Sequence, residues 1–183
     1  MLEYIKNLYQ KRQIKLLGRN DRTRKIENLQ QVQTIGIAFT VGDENSWNLL
    51  FHFAQVMERQ GKKVTMIGFQ SEKTELNYII THAQTIICRE KEDFDFWGIP
   101  KKDAIDRFIS QHYDVYIDTT DQPNFFGQYI ALKSNADLKI TYTDEIESTR
   151  DDNIFDMMIH GEGIVELREY LNHVVQYLNM IKK

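Results

Sequence analysis

Residues 34–41 read Thr34-Ile35-Gly36-Ile37-Ala38-Phe39-Thr40-Val41, an almost unbroken apolar run. Such a run is stable in water only when both of its sides are covered, as in a parallel sheet sandwiched between helices. The next thirty residues fit that frame. Gly42 turns the chain, and Asp43 or Asn45 can cap a helix by accepting its orphan backbone N–H groups. Trp47, Leu50, Phe51, Ala54 and Met57 recur at helical spacing, Gly61 ends the segment, and Val64 to Phe69 is a second apolar strand. Strand, helix and strand in this order form a βαβ unit with a right-handed crossover.

The pattern repeats. Strands are expected at Thr85–Cys88, Asp114–Asp118, Leu138–Tyr142 and Phe155–Ile159, and a helical turn near Leu76–Ile80. A helix is expected over Lys101–Gln111 with Ala104, Ile105, Phe108 and Ile109 inward, and another from Pro123, at home in a first turn, to Lys133. A last helix carries Ile164, Leu167, Leu171, Val174, Val175, Leu178 and Ile181 on one stripe. The fold class read from this is α/β: one doubly wound, mostly parallel, six-stranded Rossmann-like sheet of order 3-2-1-4-5-6.

Ahead of it stands a basic leader. From Leu2 to Gly18 an amphipathic helix is expected, with Leu2, Ile5, Leu8, Tyr9 and Leu16 near one face, then a charged connection. The chain thus divides into residues 1–28 and the α/β domain 29–183. Residues 1–25 hold eight bases and two acids, leaving 15 bases and 25 acids in the remainder. A basic helix on an acidic body attracts a neighbouring subunit's acidic face, anionic lipid or nucleic acid; an overall net charge of −4 disfavours the last two. No apolar run approaches the roughly 20 residues of a membrane span. A single cysteine, Cys88, precludes an internal disulfide and fits a cytoplasmic protein.

The run Tyr113-Asp114-Val115-Tyr116-Ile117-Asp118, the helix ending Ala131-Leu132-Lys133-Ser134-Asn135-Ala136, and the strand Leu138-Lys139-Ile140 resemble the N-terminal, Rossmann-like half of heptosyltransferase-like glycosyltransferases. Phe155-Asp156-Met157-Met158-Ile159 resembles their next strand. The chain also resembles an uncharacterised family of small bacterial α/β proteins. Those transferases have a second domain that supplies the nucleotide-sugar site, and Thr141 stands where their pattern favours glycine. The resemblance therefore implies a fold and no catalytic residue.

In a sheet of this order, ligands bind beyond the carboxyl ends of the strands where strand order reverses. That crevice lies between the strands ending at Val41 and Asp118. Its rims are Gly42, Asp43, Glu44 and Asn45 on one side and Asp118, Thr119, Thr120 and Asp121 on the other, with His160 at a nearby strand end. Four acids converging there would suit Mg²⁺ or Ca²⁺, but helix capping accounts for Asp43 and Asp121, and no metal is expected. One glycine and two acids in the first turn argue against a phosphate, and no cofactor is expected. Gly161-Glu162-Gly163 is a better-placed anion turn, spoiled by its acid. Cys88 at a strand end reads as a buried thiol, and Phe94-Asp95-Phe96-Trp97-Gly98-Ile99-Pro100 as edge packing, a sticky surface or a lid.

The function expected from the sequence is that of a non-catalytic interaction or scaffold protein. Its basic helix serves internal packing or homo-oligomerisation. The alternative is a small-molecule or sugar-related binding protein or enzyme using the crevice.

Overall fold

A computed structural model describes residues 1–18, 23–71, 78, 84–120, 124–143, 154–160 and 166–182. Among these, the elements in chain order are α1 (Leu2–Leu17), β1 (Thr34–Thr40), α2 (Glu44–Arg59), β2 (Lys63–Gln70), β3 (Thr85–Arg89), α3 (Lys102–Ile109), β4 (His112–Thr119), α4 (Phe125–Lys133), β5 (Asn135–Thr143), β6 (Met157–His160) and α5 (Leu167–Met180). The six strands form one sheet of order β3-β2-β1-β4-β5-β6, and every pairing is parallel, so the expected "mostly parallel" sheet is wholly so.

Side-chain alternation divides the sheet between two cores. Ile35, Ile37 and Phe39 point to the side closed by α2 and α5, against Trp47, Leu50, Val174 and Leu178. Ala38, Ile67 and Tyr116 point to the other side, against Ile105 and Phe108 of α3 and Phe126 and Ile130 of α4. This period of two inside an apolar run is why β1 carries apolar residues at nearly every position.

Several elements are longer than their apolar cores. β4 starts at His112 and β5 at Asn135 because their polar first residues join the ladder, with His112 Nε2 2.9 Å from Asp137 Oδ1. The amino end of β1 is held by Asp114, whose Oδ2 accepts from Gln33 N at 2.6 Å and Thr34 N at 2.8 Å. α4 departs from expectation: it begins at Phe125 and is capped by Asn124, whose Oδ1 accepts from Phe126 N at 2.8 Å. Asp121 and Pro123 lie outside the described residues, as do most of 76–80 and Ile164.

The larger correction concerns α1. Its inward face is Lys6, Tyr9, Gln10, Ile14 and Leu17, and only Ile14 is fully buried. Leu2, Ile5, Leu8 and Leu16, expected with Tyr9 on a packing stripe, are exposed. The body offers α1 the Trp97 ring and carbonyl beside a small apolar seat for Ile14 and Leu17. Tyr9 stacks on Trp97 with centroids 4.9 Å apart, and Gln10 Nε2 donates to Trp97 O at 2.9 Å.

Where α4 crosses the turn after β4, Gly127 admits close contact. A methyl group there would run into the Thr120 hydroxyl and sit 3.1 Å from both Asp118 carboxylate oxygens. Gly127→Ala should therefore cost about 1–3 kcal/mol through overpacking, although alanine is the better helix former by about 1 kcal/mol. Gly42→Ala, where an added methyl meets nothing within 4 Å, should change stability by less than about 0.5 kcal/mol. Urea denaturation of the two variants checks the contrast.

Candidate functional site

The order of progression reverses between β1 and β4, which pair in parallel with Ile37 opposite Ile117, so the switch in strand order lies between these two strands. Its residues do separate work. Asp43 caps α2, its Oδ1 accepting from Ser46 N at 2.9 Å and its Oδ2 from Ser46 Oγ at 3.1 Å. The Ser46 amide stabilises the carboxylate and lowers its pKa. Glu44 and Asn45 are exposed in the first turn.

Asp118 is buried, turned under α4 rather than toward Asp43. Its Oδ1 accepts from Thr120 N at 3.0 Å and from Thr120 Oγ at 2.7 Å. Thr119 is fastened to the sheet by its hydroxyl, which donates to Ala38 O at 2.9 Å. Tyr170 of α5 donates to Asp118 O at 3.0 Å, and burial together with the Asp118 charge pushes the Tyr170 and Tyr116 hydroxyls well above the usual phenol range. His160 ends β6, but its side chain lies outside what is described, as do Asp121 and residues 161–163.

On the Gly42 side the crevice is closed. Tyr78 donates its hydroxyl to Gly42 O and leaves, beside Trp47, a hollow of about 10 Å³, space for one water at most. Among the described residues the one group of three metal-type ligands is His112, Asp114 and Asp137. It sits at the opposite, amino ends of β4 and β5, and the Asp114 carboxylate already holds two backbone amides there.

The open part lies beside Asn124, on the face shared by α3 and α4. A cleft of about 140 Å³ has Phe69, Phe94 and Phe126 among its lining residues, with Lys6 and Gln10 of α1 above them. The Phe94–Pro100 segment forms its wall. Phe94 is buried against Phe69 and Phe126, Asp95 Oδ1 accepts from Trp97 N and Ile99 N at 2.8 and 2.9 Å, and Gly98 adopts a φ of +73°. Gly98 also lets α1 approach, since a methyl there would stand 2.5 Å from Lys6 Cε. The segment thus does the packing expected of it through Phe94, buried in the core, while Phe96 is 69% exposed. Lys6, Gln10, Phe69 and Phe126 could not be assigned to a site from the sequence, because their meeting depends on where α1 docks.

Cys88 is excluded as a nucleophile. It is fully buried, its Sγ lies 3.9 Å from Ala104 O, and burial, aided by the Asp93 charge, pushes the thiol up to about 12. A disulfide reagent such as DTNB should leave it unmodified until denaturant is added. In alkali the unfolded chain releases this proton near pH 9 while the native state keeps it to about pH 12. Stability is therefore undiminished below about pH 9 and falls as pH rises through that window. The raised hydroxyls of Tyr113, Tyr116 and Tyr170 act in the same sense, and Lys62, whose pKa burial lowers, acts against them. Urea midpoints across that range should decline less steeply for Cys88→Ala; labelling of the native thiol at a free-thiol rate would contradict the assignment.

Among the described residues no helix is long and apolar enough to cross a membrane. A family model described as a family of unknown function (DUF6913) matches residues 6–181. No curated protein matches the chain. Five solved chains do. One is an exopolyphosphatase-related protein from Bacteroides fragilis, with TM-score 0.44 and 13% identity, covering 82% of this chain and 41% of that one. The chain thus spans less than half the length of that protein.

Proposed function

This chain belongs to the DUF6913 family, whose function is unknown, and we propose that it is a non-catalytic α/β interaction protein that self-associates through the outer face of α1. One observation carries this reading. Among the described residues, six of the eleven large hydrophobic residues that are exposed fall within residues 1–16: Met1, Leu2, Tyr4, Ile5, Leu8 and Leu16. Apolar exposure concentrated on one element marks a contact surface rather than the scattered exposure of an ordinary monomer.

Charge supports a second copy as the partner. Lys11, Arg12 and Lys15 are exposed on the same helix, while the excess acid of the chain lies beyond residue 25. The basic helix of one copy and the acidic body of another are complementary. The single, buried cysteine suits a reducing cytoplasm. A small-molecule role for the crevice is the second reading. It is favoured by the cleft beside Asn124, and no group transfer is proposed.

Sedimentation velocity on the full chain should show concentration-dependent association that weakens with added salt. Leu8→Glu, at an exposed position, should abolish it without lowering the melting temperature. A monomer throughout the micromolar range, or tighter binding to anionic vesicles or nucleic acid than to itself, would overturn the proposal.

A further inference from the structure

The cleft beneath α1 has a chemistry of its own that self-association does not use. Phe69, Phe94 and Phe126 form its floor, packed against one another with ring centroids 5.4 to 6.0 Å apart. Its volume of about 140 Å³ is that of a cavity able to hold a single benzene ring, for which roughly 150 Å³ suffices. It opens at the carboxyl ends of the strands, where sheets of this class take their ligands.

Three charged side chains stand at the mouth: Lys6, Glu90 and Asp95. They are not equivalent. One oxygen of Asp95 accepts two backbone amides, and Glu90 already has a partner. Lys6 is half-buried against Gly98, and among the described residues its ammonium has neither a carboxylate within ion-pair distance nor a hydrogen bond. Lys6 is therefore the charged group at the mouth that is left to pair with a ligand, and it stands over an aromatic floor.

We propose that this cleft binds a small aromatic carboxylate: one six-membered ring lying against the phenylalanine floor, with its acid group paired to Lys6. A neutral ring would fill the floor but leave the ammonium unpaired. An aromatic amine would set like charge against it. An acid without a ring would leave the floor empty.

The test is a titration of the full chain with phenylacetate, followed by calorimetry and by the amide shifts of Gly98 and Phe126. Saturable binding is expected, with benzylamine and acetate each weaker by about ten-fold or more. Lys6→Met, which keeps the stem and removes the charge, should weaken phenylacetate by about ten-fold and leave benzyl alcohol unchanged, and Lys6→Arg should restore the difference. Lys11→Met, on the exposed side of α1, should have no effect. Absence of saturable phenylacetate binding, equal affinity for benzylamine, or indifference to Lys6→Met would each overturn the proposal. The outcome is separable from self-association, because the monomeric Leu8→Glu variant should still bind phenylacetate.

Discussion

The parallel pairing of β1 with β4 is the constraint on which the rest of the molecule depends. These central strands match Ile35 to Val115, Ile37 to Ile117 and Phe39 to Thr119, so the apolar alternation of one is in phase with that of the other. A slip of one residue would send Ile35, Ile37 and Phe39 from the α2–α5 side to the α3–α4 side. There the space is already filled by Phe108, Tyr113 and Tyr116, which pack as close as 4.9 Å ring to ring. Gly36 shows how little room remains, since a methyl at that position would lie 3.0 Å from the Tyr113 ring. Register is also fixed from the ends. Asp114 accepts the two amides that precede and open β1, and Thr119 donates to Ala38.

That arrangement was legible in the sequence because burial on both faces leaves an unusually plain trace. Strands with apolar residues at nearly every position, separated by segments with helical spacing, admit few topologies once crossovers are right-handed. The polar ends of β4 and β5 were not legible. His112 and Asn135 join the sheet through backbone bonds that do not depend on side-chain polarity, so a reading keyed to hydrophobicity stops short of them. The face of α1 failed for a different reason. Its apolar residues extend nearly around the helix, and which side turns inward is decided by the Trp97 ring and carbonyl, a contact separated by almost ninety residues in sequence.

Topology places the crevice, and local hydrogen bonding decides which side chains face it. The carboxyl ends of β1 and β4 lie together, but carboxylates next to a strand end have local uses as well as shared ones. Asp43 finds the first turn of α2, and Asp118 finds the amide and hydroxyl of Thr120, each within three residues. Local hydrogen bonds of this kind need no chain closure and so prevail over a distant meeting of acids. The open space is the part the local bonds do not fill, lined by phenylalanines whose separate roles in the core gave no sign of a common one.

α1 joins the two surfaces on which the proposals above rest. It is held to the body by buried Ile14, half-buried Leu17, the Tyr9–Trp97 ring stack and the Gln10 side-chain hydrogen bond, modest attachment for a helix of 16 residues. Its inner side roofs the cleft with Lys6 and Gln10, and its outer side carries Ile5, Leu8, Lys11 and Lys15. A molecule seated between Lys6 and the phenylalanine floor adds contacts that exist only while the helix is docked, and so favours the docked arrangement by mass action. The outer face, in turn, is presented with a fixed orientation relative to the acidic body only in that arrangement. On the two proposals above, occupancy beneath the helix and contact above it would each favour the docked α1, with the same sign in both directions.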